Sequence, residues 1–253
     1  CINYRGLFVN KNNIRGGKEF INANRYILDK AYYEFGVPRE IITAIIGIET
    51  KYGKHLGKFK TFDTLASLSL SENRGRRSGF YRSELENFLL LCKENKFDPR
   101  NIYGSYAGAL GKPQFISSSY RNYAIDFDKD GEVNLWNSDA DIVGSVANYL
   151  HKNGWKRDGK ILTNIENYKN NKNVHSISQK TYKPHTSYKL LNELDIESLD
   201  YIEPNEKLSI IRKLEGNQNV YSLGHNNFYT ITRYNRSRLY ALAVFTLAEE
   251  LKK

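Results

Sequence analysis

Apolar residues recur at helical spacing through most of this chain. After a polar start, residues 1–36 predict helix, with Phe20, Tyr26, Ile27, Ala31 and Tyr32 as its apolar stripe. The segment GVPREIITAIIGIETKYG, ending at Gly53, carries the clearest pattern. Pro38 suits the first helical position, where its missing N–H costs nothing, and Gly53 suits the C-terminal cap. A helix of about four turns fits between them. The apolar runs Ile41–Ile48 and Phe88–Cys92 are too short to span a bilayer and belong in a core. Residues 156–228 change character: Lys, Asn, Ser and Thr dominate, and the pieces KLSIIRKL and NVYSL read as short strands divided by turns. Asn170–Asn173 reads as an exposed tip. From Asn235 to Lys253 helical spacing returns at Leu239, Tyr240, Ala243, Val244, Leu247 and Leu251. The pattern describes an α+β chain that is mainly α, without internal repeats.

One position breaks the pattern. At about 100° per residue, Ile41, Ile42, Ile45, Ile46 and Ile48 share one arc, and Glu49 falls inside it. A carboxyl group on a buried face is held toward its protonated form by desolvation. Such a group can give a proton to a glycosidic oxygen. The alternative is that Glu49, near the helix end, turns to solvent or pairs with an arginine.

Two further segments carry candidate chemistry. GSYAGALGKPQF, from Gly104 to Phe115, spaces three glycines by four and three residues and so admits close approach of a backbone or a ligand. It is neither a P-loop nor GxGxxG. Ser105 and Gln114 are its hydrogen-bonding groups, either for a sugar or on the rim of tight packing. DFDKDGEVNLWNSDAD opens like a calcium loop: Asp126, Asp128 and Asp130 alternate, Gly131 takes the sharp-turn position, and Glu132 would offer its carbonyl. The twelfth position is Asn137, not Glu, so Asp139 or Asp141 would have to close the site in a longer loop. The alternative is an Asp-rich turn capping a helix that starts near Asp139. The five histidines show no zinc-ligand spacing.

Bulk properties narrow the choice. The net charge of +10 favours anionic partners such as nucleic acid, anionic lipid or an acidic polymer, but the basic residues are dispersed and no nucleic-acid motif accompanies them. Two cysteines build no disulfide framework. Cys92 reads as a buried thiol. Cys1 is either a lipidated cysteine at a matured N-terminus or the boundary of the expressed chain.

Taken together, four segments resemble the membrane-bound lytic murein transglycosylase B family: GVPREIITAIIGIETKYG, GSYAGALGKPQFISSSYRNYAIDFDKDG, LWNSDADIVGSVANYLHKNGW and FYTITRYNRSRLYALAV. The likeness runs from about Tyr4 to the C-terminal helix. It implies a lysozyme-like catalytic core over residues 37–155, a small β-domain over 156–228, and an N-terminal helical region, 1–36, packed with the C-terminal helix of segment 229–253. It implies Glu49 as catalytic residue. It places sugar contacts at Ser105, Gln114, Phe115, Tyr149, Tyr234 and Tyr240. It places a structural Ca²⁺ at Asp126, Asp128, Asp130, Glu132 and Asp141. Here Asp128 stands where a Ser is usual, and one extra residue precedes Asp141. The resemblance implies earlier N-terminal helices as well, so the helical region here is expected to be reduced or trimmed.

The resemblance also implies a chemistry: cleavage of the β-1,4 bond between N-acetylmuramic acid and N-acetylglucosamine, with one Glu acting as acid and then base and leaving 1,6-anhydromuramyl ends. The expected setting is a monomer in the periplasm or cell envelope, with no organic cofactor and no nucleic-acid partner, anchored to the outer membrane if Cys1 is lipidated. Two alternatives stand beside it. One is a lysozyme-type muramidase using water, with Asp63 as second carboxylate unless Asp63 caps the helix TLASLSL. The other is a non-catalytic wall-binding scaffold.

Overall fold

The computed structural model describes residues 6–71, 76–166, 168, 171–216 and 218–253, apart from the Arg76 side chain. Cys1, with its lipid-anchor expectation, and Asn170 lie outside the described residues. No helix among those described is long and apolar enough to cross a membrane. The chain divides into two compact units.

The first unit comprises Arg15–Glu34 and Pro38–Tyr149 and is mainly helical. Helix α1 (Lys11–Ala23), most of which lies here, is followed directly by α2 (Arg25–Phe35). The break falls at buried Asn24, whose side-chain amide donates to the Phe20 carbonyl at 3.1 Å. That break shifts the helical register. Phe20, Leu28 and Ala31 are buried, whereas Tyr26, expected on the apolar stripe, is 81% exposed. Helix α3 (Arg39–Thr50) is buried at every position from Ile41 to Ile48. Pro38 takes the N-cap, with extended ψ of 142°, one residue earlier than expected. The remaining elements are β1 (Phe59–Lys60), α4 (Thr61–Leu70), α5 (Arg76–Glu94), a 3₁₀ turn (Pro99–Asn101), β2 (Tyr103–Gly104), α6 (Ser117–Tyr123) and α7 (Asp139–Lys152). Strands β1 and β2 pair antiparallel, Phe59 facing Gly104. Asp63 is exposed in the first turn of α4 and makes no capping bond; Lys60 occupies the cap. Cys92 is a buried free thiol, and burial, with Asp98 nearby, pushes it up to about 11.

The second unit comprises Phe35–Val37 and Leu150–Lys253, with the residues up to Ile14. Trp155 donates its indole N–H to the Gly36 carbonyl at 2.9 Å. Strand β3 (Leu162–Asn164), α8 (Lys172–Ser178), β4 (Thr186–Ser187), α9 (Tyr188–Asn192), β5 (Lys207–Glu215) and β6 (Gln218–Gly224) follow. The strands form an antiparallel sheet in the order β3-β6-β5-β4. KLSIIRKL and NVYSL become its two long strands. The short helices α8 and α9 were not anticipated, since five to seven residues hold too few turns for a periodic signal. Asn171–Asn173 is correspondingly a helix start and not a loop tip: the Asn171 side chain accepts the Asn173 N–H at 2.9 Å. Ile165, Val174, Leu191, Ile196, Leu208, Ile210 and Leu223 pack into one core cluster under the sheet. The chain ends in α10 (Asn226–Tyr234) and α11 (Arg238–Lys252). Ser237 caps α11, its hydroxyl accepting the Tyr240 N–H at 3.3 Å. Tyr240, Ala243, Val244, Leu247 and Leu251 form its buried face.

Leu223 is fully buried in the sheet core. Leu223→Ala therefore leaves a cavity and is expected to lower unfolding free energy by about 2–5 kcal/mol, measured by urea titration.

Candidate active site

The local structure around Glu49 begins with the way α3 stops. Lys51 adopts the left-handed conformation (φ 50°, ψ 51°), and its N–H returns to the Gly47 carbonyl at 3.0 Å. The Tyr52 N–H reaches the Ile46 carbonyl at 3.4 Å, closing a Schellman-type end. Tyr52 (φ 61°) and Gly53 (φ 91°) continue in positive φ. The helix is thus capped two residues before the glycine expected to do it. Lys51 and Tyr52 hold a conformation that costs a side-chain-bearing residue free energy and persists only where surrounding packing imposes it.

That packing is visible. The Tyr52 ring lies over two glycines: a Cβ on Gly47 would fall 2.5 Å from its hydroxyl, and one on Gly16 would fall 2.9 Å from its ring. It also stacks on Phe20 with centroids 5.9 Å apart. Burial raises the Tyr52 hydroxyl well above its ordinary pKa. Thr50 supplies the second constraint. Its buried hydroxyl donates to the Lys112 carbonyl at 3.0 Å and accepts the Gly53 N–H at 3.1 Å. The last turn of α3 is therefore tied to the glycine-rich segment. Glu49, one residue away, is half-buried on a helix otherwise closed to solvent from Ile41 through Thr50.

The glycine-rich segment is folded on itself. Leu110 and Phe115 exchange backbone hydrogen bonds at 2.8 and 3.1 Å. Gly57 packs so closely on Gly104 and Ser105 that no Cβ fits there. The half-buried Ser105 hydroxyl accepts the N–H groups of Ala107 and Ala109, at 3.2 and 3.0 Å, and keeps its own proton to donate. Gln114 stands at φ 52° and donates to the Gly111 carbonyl at 2.9 Å, with its amide oxygen still available as an acceptor. Lys112 pairs with Asp139 at 2.6 Å and Asn24 donates to the same carboxylate at 3.3 Å, which fastens the segment to the start of α7.

The expected aromatic residues fall into two clusters, one in each unit. Phe115 and Tyr149 lie 5.6 Å apart, and Tyr149 meets Tyr123 edge-on at 4.7 Å. In the other unit Tyr234 and Tyr240 stack nearly parallel, 6.3 Å apart. Phe115, Tyr149 and Tyr240 are buried, and Tyr234 is half-buried. Sequence reasoning passed over Thr50, Tyr52 and Lys112, whose roles rest on contacts distant in the chain. It also passed over exposed Tyr106, although Tyr106 sits inside the glycine-rich segment.

The acidic loop brings three carboxylates together. Ligand oxygens of Asp126, Asp128 and Asp141 all lie within 4.8 Å of one another. Asp141 is fully buried, accepting the N–H groups of Phe127 at 2.7 Å and Asn134 at 2.8 Å. Desolvation raises its pKa against those two bonds, and the charges of Asp128 and Asp126 raise it further. At Asp126 desolvation also acts upward, but the N–H groups of Gly131, Lys129 and Asp130 outweigh it and leave the carboxyl below its ordinary value. Asp130 accepts the Glu132 N–H at 2.9 Å and does not belong to the convergent group. Gly131, at φ 96°, makes the sharp turn. Hard oxygen donors on a turn of this kind fit Ca²⁺.

Comparison with known proteins adds an independent line. The chain matches the Transglycosylase SLT domain over residues 1–249. It is 38% identical over 254 residues to Membrane-bound lytic murein transglycosylase B of Escherichia coli K12, covering 98% of this chain and 66% of that one. It thus spans just under two thirds of that curated relative. Among solved structures it is similar to soluble lytic transglycosylase SltB1 from Pseudomonas aeruginosa, with 39% identity and a TM-score of 0.91 over 98% of this chain and 81% of the other. It is also similar to the Escherichia coli lytic transglycosylase Slt35 in complex with calcium, with 36% identity and a TM-score of 0.88 over 99% and 78% of the two chains.

Gly47→Ala places a methyl group against the Tyr52 ring. It is expected to destabilise the protein by about 1–3 kcal/mol, read as a lowered denaturation midpoint.

Proposed function

The chain belongs to the Transglycosylase SLT domain family, and on that premise we propose that it is a lytic transglycosylase cutting the glycan strands of peptidoglycan with Glu49 as its acid and base. The observation that carries the assignment to Glu49 is its position. It is a half-buried carboxyl at the end of a buried helix, and its neighbour Thr50 is hydrogen-bonded into the glycine-rich segment bearing Ser105 and Gln114.

The reaction balances with one carboxyl group. Glu49 gives its proton to the oxygen joining N-acetylmuramic acid to N-acetylglucosamine, and the bond from muramyl C1 to that oxygen breaks. The substrate's own N-acetyl carbonyl stabilises the charge at C1, as in substrate-assisted glycosidases. The C6 hydroxyl then attacks C1 and returns its proton to the Glu49 carboxylate, closing the 1,6-anhydro ring without consuming water. Ser105 and Gln114 supply a donor and an acceptor for sugar hydroxyl or N-acetyl groups. Tyr149, with Phe115 packed against it, presents an aromatic edge to the sugar. A water-using muramidase finds less support. Asp63 is exposed, and the two buried carboxylates among the described residues, Glu84 and Asp141, are engaged by Ser118 and by loop N–H groups. The site of action is the cell envelope, where this polymer lies.

Ca²⁺ belongs to the same reading as a structural ion. Asp126, Asp128 and Asp141 would hold it, with the Glu132 carbonyl as a further oxygen donor. It would offset the repulsion of three clustered carboxylates. No step of the cleavage passes through it.

Glu49→Gln is expected to fold as wild type and lose roughly 10²–10⁴-fold in turnover on purified peptidoglycan. Mass spectrometry of wild-type digests should give muramyl ends lighter by one water than hydrolysed ends; reducing ends alone would refute the transglycosylase assignment. Added Ca²⁺ at about 100 times its Kd should stabilise the fold by about 2.7 kcal/mol, seen as a raised Tm that chelation reverses. Asp128→Ala should abolish that rise.

A further inference from the structure

The second unit carries a cavity that the proposed chemistry does not use. It measures about 530 Å³ and is lined by Tyr168, Asn171, His175, Gln218, Asn219 and Tyr221. That volume falls within the roughly 300–1,000 Å³ typical of small-ligand sites.

Its walls are set from the β5–β6 hairpin and the start of α8. Tyr221, buried on β6, meets Tyr168 edge-on at 5.5 Å. The Tyr221 hydroxyl is hydrogen-bonded to His175 Nδ1 at 2.8 Å, which holds both rings in place. Asn171 is committed to the wall: its amide donates to the Leu194 carbonyl at 2.6 Å, and its oxygen accepts the Asn173 N–H. Gln218 and Asn219 differ. They are exposed at the head of β6, and among the described residues neither side-chain amide has a hydrogen-bond partner.

Among the described residues the lining holds two tyrosines, one imidazole and three amides, and no Asp, Glu, Lys or Arg. Such a surface offers no opposite charge to select an ion. It does offer amphipathic rings together with paired donors and acceptors, which complement an uncharged molecule with apolar C–H faces and several hydroxyl or amide groups. An N-acetylated hexosamine unit has that chemistry.

We propose that this cavity is a second glycan-binding site, which takes N-acetylhexosamine units of the strand and holds the enzyme on its polymer. The proposal rests on the transglycosylase reading. Gln218 and Asn219 orient the N-acetyl and hydroxyl groups, and Tyr168 and Tyr221 provide the ring surface.

The test uses the full chain and the variant Gln218→Ala/Asn219→Ala, whose two side chains are exposed and outside the core. Turnover is measured on intact sacculi and on a short soluble muropeptide. The variant should lose at least fivefold on sacculi through a raised KM and stay within twofold of wild type on the short substrate. Equal turnover of variant and wild type on both, or an equal loss on both, overturns the second site. A wild type that turns over neither substrate refutes the transglycosylase reading instead. A direct measurement accompanies the kinetics: side-chain amide NMR signals of Gln218 and Asn219 should shift on titration with chitotetraose. Signals that stay in place, or that shift only with a free stem peptide, refute glycan binding in this cavity.

Discussion

The hydroxyl of Thr50 bridges the end of α3 to the glycine-rich segment, and the arrangement around Glu49 depends on it. A buried hydroxyl with partners on both sides cannot move without leaving polar groups unpaired, at a cost of about 1–3 kcal/mol each. The neighbouring Lys51 and Tyr52 are held in left-handed conformations by the Tyr52 ring, which fits only because Gly16 and Gly47 lack side chains. Strain and close packing at the helix end thus fix the backbone that carries Glu49. The proton donor proposed at Glu49 benefits from a backbone held this way.

The same segment is anchored from its far side by charge. Lys112 is largely buried and meets Asp139 at the first turn of α7, where a carboxylate also favours the helix dipole. Asn24 shares that carboxylate, so the break between α1 and α2 belongs to the same network. Two residues farther along α7, Asp141 turns inward to organise the acidic loop through the Phe127 and Asn134 N–H groups. The glycine-rich segment and the acidic loop are therefore fastened to one helix start. A cation bound at the loop would act on stability and order.

The second unit is built on a different basis. Its sheet packs on a mostly aliphatic core that takes in Tyr221, with Tyr168 packed against it, and the same two rings line the cavity. In the first unit Phe115, Tyr149 and Tyr123 close on one another.

What the sequence alone determined is what depends on local repetition and on motif. The isoleucine spacing of α3, the apolar face of α11, the two long strands, the alternating aspartates and the out-of-place Glu49 were all legible, because each signal lies within one or two turns of chain. The family resemblance rested on four such segments. The tertiary structure decided what depends on distant partners. It chose Lys51 over Gly53 as the cap of α3, since the Tyr52 ring and its glycine seats impose the conformation. It placed Tyr26 in solvent, since the break at Asn24 rotates the next helix. It left Asp130 outside the converging carboxylates, and it gathered Gln218 and Asn219 with Tyr168 and His175 around one cavity. Periodicity reports which face of an element is apolar. Only folding decides which atoms from remote stretches of chain meet that face.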